Sequence, residues 1–186
     1  MESSQQKVYN AIKDEYRTKI MTKISTDGVA KSAFLILEGL NKLRLVCGCP
    51  SLVNDNDKKR YKPSSIKLQE LTREINENIS NHKILIFSQF LGMLQLIRDN
   101  LDALGISYLY LDGSTPATER KVLVDQFQND KSIQIFLISL KAGGVGLNLI
   151  AADYVYIVDP WWNPATEDQA INRTHRIGQN KKSICL

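Results

Sequence analysis

Four short apolar runs constrain this chain more than any other feature. They stand at Lys83–Phe87 (KILIF), Tyr108–Leu111 (YLYL), Ile133–Ile138 (IQIFLI) and Tyr154–Val158 (YVYIV). Helical segments intervene around Leu91–Leu104 and Pro116–Gln128. Short apolar strands alternating with helices predict a parallel sheet covered on both faces. A further strand is expected near Ser183. Sequential parallel strands need crossover connections, so their carboxyl ends share one edge, where ligands bind in such folds.

The segments just beyond these runs are therefore the informative ones. The first run leads into Ser88-Gln89-Phe90, the second into Asp112-Gly113-Ser114-Thr115 with Arg120 one turn inside the next helix. The third leads into Ser139-Leu140-Lys141-Ala142-Gly143-Gly144-Val145-Gly146, the fourth into Asp159-Pro160-Trp161-Trp162. Hydroxyls, amides, glycine backbone and two cations gather on that edge. Such groups hold a nucleic-acid backbone without reading its sequence. Simpler roles stand beside this one. Ser88-Gln89-Phe90 also reads as a cap on the next helix, and Thr115-Pro116 as an N-cap before a first-position proline. The glycine loop with Lys141 allows close approach of backbone to an anion, yet matches neither a dinucleotide fingerprint nor a phosphate loop. Adjacent indoles point in different directions, so one of Trp161 and Trp162 is expected to face solvent or a partner.

Beyond the last run lies NPATEDQAINRTHRIGQ, residues 163–179. Asn163-Pro164 reads as a helix start, Glu167 and Asp168 suit the early turns of a helix dipole, and Gly178 is a stop. Gln169, Arg173 and Arg176 fall at steps of four and three, on one helix face. Two guanidiniums and an amide there suit an anionic ligand, because Arg matches phosphate with a planar fork of donors. A solvated face paired with carboxylates is the alternative for two bare arginines.

The string Gln-x-x-x-Arg-x-x-Arg, ending RTHRIGQ, resembles the last signature motif of the superfamily-two helicases. Its His-Arg-Ile-Gly-Gln ending is similar to the Swi/Snf-type branch, the DNA-translocating ATPases of chromatin remodelling and DNA repair. ILIFSQF, YLDGSTPATER, LISLKAGGVGLNL and VDPWWNPATEDQAINRTHRIGQ resemble, in order, that family's second-lobe motifs. The resemblance implies a RecA-like α/β lobe in which Arg173 and Arg176 are arginine fingers reaching ATP phosphates, with Gln169 in support. It implies that Gly146 and Asn148 face the nucleotide. Asn148 departs from the Asp of many related helicases. Ser88, Gln89, Gly113, Ser114, Arg120, Ser139, Lys141 and Gly143 would line the DNA backbone. Trp161 or Trp162 would couple the two sites.

Upstream, residues 3 to about 47 are expected to be helical. Val8, Ile12, Tyr16 and Ile20 recur every four residues. Phe34, Leu35, Leu37, Leu40, Leu43 and Val46 make a second stripe, and Asp27-Gly28 interrupts the two. QQKVYNAI and LNKLRLVCGCPSLV resemble the family's helical segment between its two motor lobes. Asp14-Glu15 mimics an ATPase acidic pair but sits inside the helical pattern, with no apolar strand before it. NDNDKKRYKP, residues 54–63, reads as a solvated loop whose Lys58, Lys59 and Arg60 carry charge. Helical spacing returns from Ile66 to Ile79. The expected domains are a helical appendage with linker, 1–62, and the main lobe, 63–186.

In 186 residues, 43% hydrophobic and 24% charged, composition is that of a globular protein, and a net charge of +4 permits an anionic partner without demanding one. Cys47, Cys49 and Cys185 form no zinc pattern, and the first two are too close for an ordinary disulfide, so a reducing compartment is expected. No apolar run reaches the roughly 18 residues of a membrane helix, and no secretory leader is read. The expected location is intracellular: nucleoid or cytoplasm in a prokaryote, nucleus in a eukaryote.

The expectation is therefore a RecA-like parallel sheet with helices on both faces, preceded by a helical appendage. It would be the second lobe of an ATPase translocating along double-stranded DNA. Mg2+ and ATP would be held mainly by an N-terminal RecA-like lobe, since no phosphate loop or acidic metal motif occurs here. The lobe by itself is expected to be inactive. Rival readings are the lobe of a strand-separating RNA or DNA helicase and a non-catalytic nucleic-acid-binding module.

Overall fold

The computed structural model describes residues 3–53, 65–143, 147, 149–159 and 184–185, and of 143, 184 and 185 the backbone only. By contacts the chain divides into two compact units, Met1–Leu71 and Thr72–Leu186.

The first unit begins with two helices, α1 (Ser3–Asp27) and α2 (Val29–Gly48), followed by a single 3-10 turn at Pro50–Leu52. They are parted at Gly28, whose φ of 81° only glycine adopts readily. The stripe Val8, Ile12, Tyr16, Ile20 faces inward on α1, with Tyr16 buried. The stripe expected on α2 is only partly its buried face: Phe34, Leu37 and Leu40 are exposed, Leu35 and Leu43 are half-buried, and Val46 alone of the six is buried. With Val46, α2 buries Ser32 and Gly39, spaced seven apart, and Gly48 at its end. The reason is close approach. A Cβ at Gly39 would lie 2.6 Å from the Tyr16 ring, so the small residue, and not a leucine, sits beneath the aromatic. The Tyr16 hydroxyl donates to Glu38 Oε1 at 2.7 Å. Gln5 Nε2 donates to the Val46 carbonyl at 2.8 Å, satisfying a helix-end acceptor. Asp14 and Glu15 lie on the exposed flank of α1, where they pair with Lys13 and Lys19.

α3 (Ile66–Asn78) runs across the division between the units. Then come β1 (Ile84–Ser88), α4 (Leu91–Ala103), β2 (Tyr108–Leu111), α5 (Ala117–Asn129), β3 (Ile135–Ser139), the short α6 (Leu140–Gly143), β4 (Tyr154–Ile157) and β5 (Ile184–Cys185). The sheet is parallel throughout, in the order β2-β3-β1-β4-β5. All five residues of β1 and of β3 are buried, so both faces of the sheet centre are covered. Register explains one face: Phe136 stands beside Leu85 and Leu109, and Ile138 beside Phe87 and Leu111. Val155 and Phe127 of α5 join the same cluster. Right-handed crossovers account for the layering. The chain moves one way from β1 to β2 through α4 and the opposite way from β2 to β3 through α5, which sends the two helices to opposite faces. Outgoing connections thus diverge after β1 and β3, and the crevice at their carboxyl ends is the topological switch point.

At the opposite, amino edge, Lys83 Nζ donates to the carbonyls of Phe127, Asp130 and Ile133 and so closes the end of α5. Burial lowers the pKa of that ammonium. Asp153 is buried and accepts from the Lys83 amide at 2.8 Å and pairs with His82 Nδ1 at 2.8 Å, tying the start of β4 to the approach of β1. An open cleft of about 560 Å3 lies here, lined by His82, Lys83, Gln128 and Lys131 among others. It is on the far side of the sheet from the switch point.

Candidate functional site

The carboxyl edge brings three described loops together. Ser88 and Ser139 are register partners at the ends of β1 and β3, the two strands that flank the switch point. Both hydroxyls face inward and are buried. Ser139 Oγ accepts from the Ala142 amide at 3.3 Å, capping the turn that carries Lys141. Ser88 Oγ donates to Asp159 Oδ2 and accepts from the Phe90 amide at 3.1 Å. The two serines expected to line the DNA backbone use these hydroxyls within the loops, which they shape. The groups that the loops expose are others: Ser114, Gly113 and Lys141 are exposed, and Gln89 is half-buried.

The loop after β2 is built around Asp112. Its Oδ1 accepts from the Ser114 amide at 2.8 Å and the Ser114 hydroxyl at 2.6 Å, a local turn that Asp forms readily. Its Oδ2 accepts from the Tyr110 hydroxyl at 2.8 Å. These bonds, the Ser114 hydroxyl foremost, hold the Asp112 pKa below its ordinary value. Burial, with the adjacent carboxylate, pushes the Tyr110 phenol up to about 12, so it stays a donor. Arg98 lies over the Tyr110 ring, 4.6 Å from its centroid. Thr115 does not cap α5 as expected. Its hydroxyl accepts from the Asp112 amide at 3.1 Å, and Pro116 takes the N-cap position without a side-chain bond.

Arg120 closes the same loop from α5. Its Nε donates to Thr115 O at 2.8 Å, and Nη2 reaches Gly113 O at 3.3 Å and Asp112 O at 3.4 Å. The guanidinium is thus a brace with its charge beside the loop. A Cβ at Gly113 would meet nothing within 4 Å, so the space over that backbone is open to an incoming group. Gly143 contributes backbone at the end of α6. Of the remaining predicted residues, Gly146, Asn148, Trp161, Trp162, Gln169, Arg173 and Arg176 lie outside the described residues, as do Lys58, Lys59 and Arg60. Among the described residues no His, Cys, Asp and Glu cluster is arranged to hold a metal ion.

The family model of the helicase conserved C-terminal domain matches residues 66–178. The chain belongs to that family, in its SWI2/SNF2-type branch. An uncharacterized ATP-dependent helicase of Mycoplasma genitalium is 38% identical over 182 residues, which is 94% of this chain and 17% of that protein. The DNA repair protein rad8 of Schizosaccharomyces pombe is 41% identical over 135 residues, 70% of this chain and 12% of that protein. The C-terminal domain of the Sulfolobus solfataricus SWI2/SNF2 ATPase superposes with a TM-score of 0.70 at 31% identity, covering 87% of this chain and 69% of that one. The core of the same ATPase in complex with double-stranded DNA gives 0.73 at 29%, over 96% of this chain and 37% of that one. This helicase C-terminal lobe thus spans less than a fifth of the curated relatives it matches.

Proposed function

We propose that this lobe is the second motor half of an ATP-driven translocase on double-stranded DNA, gripping the phosphate backbone along the carboxyl edge of its sheet. The observation that carries this reading is the set of groups exposed there. Gly113 backbone and Lys141 are small or cationic and open to solvent, the exposed Ser114 turn is held in place by Asp112, and half-buried Gln89 adds an amide. Backbone and hydroxyl groups bind phosphate oxygens without sequence preference, which a translocase stepping along DNA requires. The SWI2/SNF2 core solved in complex with double-stranded DNA adds weight by likeness.

ATP and Mg2+ would be held mainly by an N-terminal RecA-like lobe carrying a phosphate loop and acidic ligands. Toward that nucleotide this chain would offer Gln169, Gly146 and Asn148, with Arg173 and Arg176 as fingers on the transferred phosphoryl. Such fingers act when the cleft closes, because fixed positive charge then meets the charge that develops in the transition state. Trp161 and Trp162 would link the nucleotide and DNA sites. The lobe by itself is expected to hydrolyse ATP at no more than background, and to work with the DNA of the cell, in nucleoid or nucleus.

Duplex binding at several salt concentrations tests the grip. Weak, sequence-indifferent affinity that falls steeply with salt is expected from counterion release. Equal affinity at low and high salt would point to a protein-binding surface.

A further inference from the structure

The Ser88 hydroxyl has one hydrogen and three neighbours. Asp159 Oδ2 and the Phe90 carbonyl compete for that hydrogen, while the Phe90 amide needs the oxygen as acceptor. The carboxylate carries the greater negative charge, and charge-assisted bonds are the stronger ones. The hydrogen therefore goes to Asp159, and the lone pairs turn toward Phe90. Phe90 is the N-cap residue of α4, with no side-chain cap of its own, and its carbonyl receives the amides of Met93 and Leu94 at 3.0 and 3.1 Å. Gln89 sits between the fixed serine and that helix start.

Asp159 reaches this position because the Val158 amide donates to Phe87 O at 2.9 Å, carrying the β4 ladder one step past the strand. Both Asp159 and Ser88 are buried, at 3% and 0% exposure. A carboxylate at an edge meant for phosphate would repel it if exposed. Turned inward and hydrogen-bonded, it acts on the loop instead.

We propose that Asp159 is a positioning residue for DNA: by fixing the Ser88 hydroxyl it sets the Ser88–Gln89–Phe90 turn that presents Gln89 to a phosphate. This rests on the backbone-gripping reading above. It also makes Ser88 a relay and not a ligand.

The test uses the 186-residue chain with Asp159→Ala, Asp159→Asn, Ser88→Ala and the pair Ser88→Ala/Asp159→Asn. Three quantities are read: affinity for a mixed-sequence DNA duplex at low salt, hydrogen exchange of the Phe90 amide, and melting temperature. Asp159→Ala and Ser88→Ala should each weaken duplex binding about tenfold, the scale of one hydrogen bond to a charged group. Asp159→Asn keeps an acceptor oxygen and the side-chain size, so it should fold and lose about two- to threefold. The double variant should be no weaker than Ser88→Ala, because both changes cut one chain of bonds. Phe90 exchange should quicken in every variant. Parent-level duplex affinity in variants with a lowered melting temperature would overturn the inference and leave Asp159 purely structural. Additive losses in the double variant would overturn the relay through Ser88. A parent chain that binds no duplex would overturn the gripping reading itself, a result separable from these because no variant is needed to see it.

Discussion

Arg120 and Lys141 are both cations of the carboxyl edge, yet the structure gives them different work. Arg120 spans three loop carbonyls, whereas Lys141 is exposed on a four-residue helical turn. Lys141→Ala should therefore weaken duplex binding alike for all sequences, reduce the salt slope by about one, and leave the melting temperature nearly unchanged. Arg120→Ala should lower duplex affinity and melting temperature together, by roughly 1–3 kcal/mol of stability for the carbonyls it leaves. Arg120→Lys should rescue poorly, since one ammonium cannot reproduce the planar fork. Salt titrations and melts on the same proteins separate the two. Asp112 adds a pH dependence. Its folded pKa is depressed, so its contribution is complete above the unfolded value near 3.8 and is lost as pH falls through the lower folded value. Protection of the Ser114 amide, taken relative to the unstructured exchange rate at the same pH, should stay flat from neutral pH down to about 4 and then fall as the Asp112 carboxylate is protonated. An early loss of protection between about pH 7 and 5 would show that this carboxylate does not hold the turn.

Among the elements, most of the lobe was legible because fully buried parallel strands are written as unbroken apolar runs. YLYL coincides with β2, and KILIF, IQIFLI and YVYIV differ from β1, β3 and β4 by one or two residues at an end. Helix ends are less legible because caps depend on who captures a hydroxyl, as Thr115 illustrates. The site was legible as an edge and less so atom by atom. Ser88 meets Asp159 from 71 residues away, and nothing local to either position announces it. Asp159 consequently read only as the start of an aromatic loop. In the helical unit, hydrophobicity partly misplaced the face of α2, because close approach to Tyr16 selected small residues over large ones. Gly39→Ala tests that cause. Helix propensity favours Ala by about 1 kcal/mol, but overpacking against the ring costs typically about 1–3 kcal/mol. Tyr16 is anchored by Glu38 and yields little, so net destabilisation is expected in a denaturant melt. A more stable variant would show that the ring moves freely.

In the whole molecule, this lobe would work against a nucleotide-holding one. Arg173→Ala or Arg176→Ala in the two-lobe protein should depress DNA-stimulated turnover far more than ATP affinity, by on the order of 10³-fold or more as in other finger systems. A surface arginine paired with Glu167 or Asp168 would instead cost at most about 1 kcal/mol of stability and spare turnover. Measuring turnover, ATP affinity and melting temperature together distinguishes them. The decisive quantity is the rate of ATP hydrolysis by the two-lobe protein with and without duplex DNA. Magnesium-dependent hydrolysis that rises strongly when duplex is added is expected, with no more than background from this lobe by itself. Hydrolysis by the two-lobe protein that duplex DNA leaves unchanged, or robust turnover by the lobe in isolation, would contradict the motor reading.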